Sequence, residues 1–148
     1  MASSLTPTNF NIKITEEQVV RNSIIKHEVV HLIKNITNVD HRILTCPADA
    51  LTDIIKIDYP NPGAGTFISS SLEYVRITNL DTQTPIALII SSSNGDFTQE
   101  ITPQNTLMLS SINVTSSNFN GILDETITSI QVYPVSSSVD IEYTVVNS

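Results

Sequence analysis

Short stretches in which apolar and polar residues alternate run along the chain. Phe10 to Ile14 (Phe-Asn-Ile-Lys-Ile) has period two, the mark of a half-buried strand. The same pattern closes the chain, with Val139, Ile141, Tyr143 and Val145 on one face and Asp140, Glu142 and Thr144 on the other. Between these lie further strand-like segments: His27–Thr37, Asp53–Tyr59, Glu73–Asn79, Pro85–Ser91, Phe97–Ile101, Thr106–Ser110 and Thr126–Tyr133. Asn94-Gly95 separates two of them and predicts a hairpin. Ile36-Thr37-Asn38-Val39-Asp40 recurs as Ile77-Thr78-Asn79-Leu80-Asp81, which predicts a strand running into an Asn/Asp turn at both places. Pro47 to Thr52 reads as a connection with at most one helical turn.

One region carries two readings. Thr15-Glu16-Glu17-Gln18 fits a helix capping box, with Thr15 as N-cap. The residues after it, Val19 to Ile25, contain no alanine, and their apolar positions scatter around a helical wheel. Residues 16–36 are therefore helix or strand by sequence alone.

Composition favours the strand reading for the chain as a whole. Ile, Val and Thr are abundant and stiff at χ1, which suits a pleated sheet. Serine runs at 69–71, 91–93 and 136–138 punctuate the apolar segments. The expected fold is all-β, an antiparallel β-sandwich or jelly-roll-like domain with an N-terminal arm and at most one short helix. The expected organisation is residues 1–15 as an arm with a short strand, 16–60 as a β-rich segment and 61–148 as the sandwich, the last two forming one continuous domain. Pro60-Asn61-Pro62-Gly63-Ala64-Gly65 is the strongest breaker and marks the boundary between them.

Charge narrows the partners. The 148 residues carry 15 acids against 7 bases, for a net charge of −8, and no base or histidine follows Arg76. A chain so poor in Lys and Arg is not expected to bind nucleic acid directly. No apolar run approaches the length of a membrane span, and the N-terminus does not read as a secretory signal, so neither membrane association nor use of the sequons at Asn35 and Asn113 is expected. A single cysteine, Cys46, excludes an internal disulfide and reads as a small buried residue.

His27-Glu28-Val29-Val30-His31 is a literal H-E-x-x-H, the zinc-protease sequence. That chemistry needs a helix, where residues four apart lie about 6 Å apart along the axis on one face. On a strand the spacing is about 13 Å, too far for both imidazoles to reach one ion at about 2.1 Å. Val29, Val30 and Ile33 favour the strand, and Lys34 and Thr37 occupy the positions where a metzincin would have Gly and His. The expectation is no catalytic residue, no metal and no cofactor, with a small zinc metallohydrolase on His27, Glu28 and His31 as the remote alternative. Asp96 with Glu100, and Asp124 with Glu125, are weak calcium candidates. Tyr74, Tyr133 and Tyr143 are candidates for a sugar-stacking platform.

The second half resembles small β-sandwich virion proteins of tailed bacteriophages. Leu72 to Asn79 followed by Thr84-Pro85-Ile86-Ala87-Leu88 is similar to their opening strand, T-N turn and strand. Ile101-Thr102-Pro103-Gln104-Asn105-Thr106-Leu107-Met108-Leu109 is similar to their L-x-P-G-x-x-x-L-L segment, with Gln104 in place of glycine. Ile127 to Tyr133 and Val139 to Tyr143 resemble their closing hairpin. The likeness covers about residues 72–146 and implies a non-enzymatic structural role in a virion, as a capsid decoration or a tail or fibre component. The expected partners are other copies of the chain, in a homo-oligomer held by sheet-edge and arm contacts, and other virion proteins. Phe10, Ile12 and Ile14 are the expected partner-binding residues, placed to add a strand to a neighbour's sheet. The alternative is a recognition module for a host-surface glycan or protein, using the loops at Ser91–Asp96 and Thr115–Gly121.

Overall fold

A computed structural model describes residues 7–57, 66–67, 72–92, 95–110 and 127–148. Every regular element in these residues is a strand: β1 (Thr8–Val20), β2 (Ser23–Ile36), β3 (Asn38–Cys46), β4 (Thr52–Ile57), β5 (Thr66–Phe67), β6 (Leu72–Asn79), β7 (Ile86–Ser92), β8 (Gly95–Ile101), β9 (Thr106–Ser110), β10 (Ile127–Pro134) and β11 (Val139–Asn147). The all-β expectation holds. The short helix does not form, because the capping-box residues Thr15–Gln18 lie in mid-β1 and pair with Ile25–Glu28 of β2. A capping box is a local signal, and here the long-range ladder to β2 holds these residues extended instead.

The chain divides into two compact units, Met1–Asn38 with Ser148, and Val39–Asn147. The Pro60–Gly65 breaker lies outside the described residues.

The second unit holds two sheets. One has the order β5-β4-β10-β7-β8 and the other β3-β11-β6-β9. The ladders β4–β10, β10–β7, β7–β8, β11–β6 and β6–β9 are antiparallel, and the two-residue β5 joins β4 in parallel. Side chains from both sheets meet in one core. Cys46 from β3, Val75 and Ile77 from β6, and Val139, Ile141, Tyr143 and Val145 from β11 pack with Ile54 and Ile55 of β4, Ile86, Leu88 and Ile90 of β7, Ile101 of β8, and Ile130 and Val132 of β10. This is a β-sandwich-like arrangement, and period two explains it: along β7, β10 and the first half of β11, buried residues alternate with more exposed ones, while Tyr143–Asn147 is buried throughout.

Turn chemistry fixes the ends of the sandwich. At the second I-T-N-x-D copy, buried Asn79 donates from Nδ2 to the carbonyls of Thr84 and Ile101, and its Oδ1 accepts from the Asp81 amide. Asp81 Oδ1 in turn accepts from the amides of Gln83 and Thr84 at 2.7 and 2.6 Å. These donors hold the Asp81 carboxyl below the ordinary carboxylate range. The first copy behaves differently. Asn38 already begins β3, and Asp40 accepts from Arg42 Nε at 2.9 Å, so the chain passes from strand to strand without the turn. The Pro47–Thr52 connection contains turns and no helix, with Asp49 at φ +53° donating its amide to the Pro134 carbonyl.

Thr102-Pro103-Gln104-Asn105 forms a β-turn closed by the Asn105 amide on the Thr102 carbonyl, with Gln104 at φ +60°. Proline at the second position and positive φ at the third are type II features, and glycine is the usual residue at the third. The Gln104 amide also donates to the Asp81 carbonyl, which ties this turn to the Asn79–Thr84 loop.

Candidate interaction site

The first unit is built on a two-stranded antiparallel sheet, β1 against β2. Its turn is Arg21-Asn22, with φ +48° and +64° at the two positions and Val20 paired to Ser23. Positive φ at both central residues is the type I′ geometry, whose twist matches that of paired strands. From there the register runs unbroken to Phe10↔Ile33. It then shifts between Phe10 and Thr8, where Asn35 at φ +61° takes up the irregularity.

Register assigns every side chain to a face. One face carries Phe10, Ile12, Ile14, Ile25, Val29 and Ile33, together with His27, His31, Glu16 and Gln18. The other carries Val19, Ile24, Val30 and Leu32 among Lys13, Thr15, Glu17, Lys26 and Glu28. Charges on this second face are paired across the strands: Lys13 Nζ lies 2.8 Å from Glu28 Oε2, and Glu17 stands opposite Lys26.

The apolar side chains are open to solvent on both faces. Val19 is 67% exposed, Ile24 66%, Ile25 56% and Val30 56%, while Phe10, Ile12, Ile14 and Ile33 are half-buried. Phe10, Ile12 and Ile14 therefore share one face, as their alternation requires. Ile25, Val29 and Ile33 join them on it, and sequence reasoning did not name these three. Their signal was partial: two β-rich runs flank Arg21-Asn22, and Phe10↔Ile33, Ile14↔Val29 and Val19↔Ile24 are apolar pairs, while Ile12↔His31 and Gln18↔Ile25 are mismatched.

The H-E-x-x-H residues lie in mid-β2. His27 and His31 share a face about 13 Å apart by strand rise, and Glu28 is on the opposite face with Lys13. The arrangement does not bring the three side chains around one point. Asp96 and Glu100 are likewise four residues apart on a strand, in β8, which sets them about 13 Å apart. Asp124, Glu125 and the Thr115–Gly121 loop lie outside the described residues.

A second polar cluster ties three strands of the β3-β11-β6-β9 sheet. Glu142 Oε1 lies 3.2 Å from His41 Nε2 and accepts from Arg76 Nη2 at 3.3 Å. Thr144 Oγ1 meets His41 Nδ1 at 2.9 Å and accepts from Arg76 Nη2 at 3.3 Å. Thr144, expected on the polar face, is buried beneath the His41 and Arg76 side chains. Charge and hydrogen bonds are mutually satisfied here, and the group is a clasp between strands. Cys46 is fully buried, and its thiol is pushed up by desolvation. Tyr74 and Tyr143 are buried as well, their hydroxyls pushed up by desolvation, so neither offers a ring face for stacking.

Searches of protein-family models, curated proteins and solved structures found no match to this chain.

Proposed function

We propose that this chain is a non-enzymatic structural protein of a virion, a sandwich domain that holds neighbouring copies through its hairpin. The observation that carries the reading is the β1–β2 hairpin, with apolar side chains exposed on both faces along about 12 residue pairs. An isolated two-stranded hairpin is marginal in water, and exposed apolar surface of this extent marks an interaction site. The strand orders support the same reading at finer grain. With β5 set aside, the orders β4-β10-β7-β8 and β3-β11-β6-β9 support an eight-stranded jelly-roll reading, a fold used by capsid and lectin domains. The resemblance of residues 72–146 to phage virion proteins points the same way, and other virion proteins are the further partners it implies.

The test is to purify the particles and quantify this chain by mass spectrometry. Incorporation in fixed stoichiometry with a capsid or tail protein is the expected result. Absence from particles, or turnover of a substrate by the purified chain, contradicts the reading. Recognition of a host glycan is the second reading, favoured by the same strand order because lectin domains also use it. Binding on a glycan array by the intact chain would support it.

A further inference from the structure

We propose that hairpins of neighbouring copies pair edge to edge, β1 of one beside β2 of the next. They close into a ring with the Ile12–Ile14–Val29 face turned inward. The inference rests on the assembly reading above and names the surface that performs it.

Three observations select this arrangement. The first is the free edges. Val20 and Ser23 flank a two-residue turn and so form a hydrogen-bonded pair, which sets the alternation along the ladder. Lys13, Thr15 and Glu17 on β1, and Lys26, Glu28 and Val30 on β2, then fall at non-hydrogen-bonded positions. Their amides and carbonyls point away from the ladder. Among the described residues the sheet has two strands, β1 and β2, and both outer edges carry a row of outward donors and acceptors. No proline interrupts either strand, and the register is free of bulges from Phe10 to Val20.

The second is the difference between the faces. One is largely apolar, and its central polar residues Glu16 and His27 are register partners; the other carries the lysines and most of the glutamates. Repeating the ladder extends that charge pattern without conflict. In a ring all hairpins run the same way, so β1 of one copy is antiparallel to β2 of the next. With the hairpin's own register repeated between copies, Glu17 lies between two Lys26 side chains and Lys13 near two Glu28 side chains.

The third is area. The hairpin is about 40 Å long and two strands wide, so one face spans about 400 Å². That is half of the roughly 800 Å² per partner in a standard interface. Two hairpins stacked face to face leave both edges unused. A ring uses the edges and dries the apolar face together.

Hydrogen exchange on the intact chain, read residue by residue beside native mass spectrometry, tests the inference. The expected result is a multimer in which the outward amides of Lys13, Thr15, Lys26 and Val30 exchange about 100-fold or more slowly than unprotected amides. Thr15→Pro, which removes an outward donor and leaves the hairpin's own ladder intact, is expected to dissociate the multimer. A Thr15→Ser control is expected to preserve it. A multimer whose outward amides exchange unprotected overturns edge pairing and leaves the assembly reading standing. A single-copy mass overturns both.

Discussion

Gln104 is the residue where the chain departs from its own turn chemistry. At φ +60° its β-carbon is crowded against the backbone, a cost of about 1 kcal/mol or more for a side chain other than glycine, asparagine or aspartate. Gln104→Gly is expected to raise stability by about 0.5–1 kcal/mol after the added freedom of the unfolded chain is deducted. A higher denaturation midpoint would show it. Asn79 works in the opposite sense, since Asn79→Ala leaves the buried Ile101 and Thr84 carbonyls without its amide. The expected loss is about 2–4 kcal/mol in chemical denaturation. Asp81 adds a pH dependence. Its carboxyl titrates lower in the folded than in the unfolded chain, so its contribution is complete above the unfolded value and is lost as pH falls through the folded one. Below about pH 4 the wild type is expected to lose stability more steeply than Asp81→Asn, measured as denaturation midpoint against pH. The Asn79–Asp81 turn was legible because Asn and Asp bond their own backbone. The same Asn-x-Asp pattern at Asn38–Asp40 misled because β3 begins at Asn38, and a short motif cannot reveal a strand that captures it.

Among the elements, β6 to β11 were legible nearly to the residue, since most are apolar or β-branched runs bounded by turn residues, and β7, β10 and the start of β11 also alternate. β3 was missed: Asp40-His41-Arg42 breaks the apolar pattern, and these side chains serve the surface of a strand whose neighbour β11 lies about 100 residues away. The hairpin was only half legible. Both of its faces carry β-branched residues, so Val19-Val20, Ile24-Ile25 and Val29-Val30 erase the alternation that marks a one-sided strand. Its turn also lacks the usual glycine. Asn22 is the residue that tolerates φ +64°, and Asn22→Val is expected to cost about 1–2 kcal/mol at the turn. The loss should appear as faster amide exchange along β1 and β2, with the exchange of β7, β10 and β11 unchanged. Loss of protection in those core strands as well would mean that the hairpin and sandwich unfold together.

At the scale of the whole molecule, charge separates the two units. Residues 1–38 hold four Lys or Arg against three Glu, a net of +1, so the remaining chain carries −9. An acidic sandwich repels its like, which favours the nearly neutral, apolar hairpin as the contact in the proposed assembly. The pairings that build the sandwich, β3 beside β11 and β4 beside β10, join segments far apart in the chain, and no local pattern encodes them. That is why the sequence yielded strands and not their order. The proposal that the exposed hairpin holds other copies is tested by the native mass of the intact chain at neutral pH. A single discrete multiple of 16.2 kDa is expected, collapsing to one copy when Ile14 and Val29 are both replaced by Asp. A wild-type mass of one copy at every concentration would contradict it.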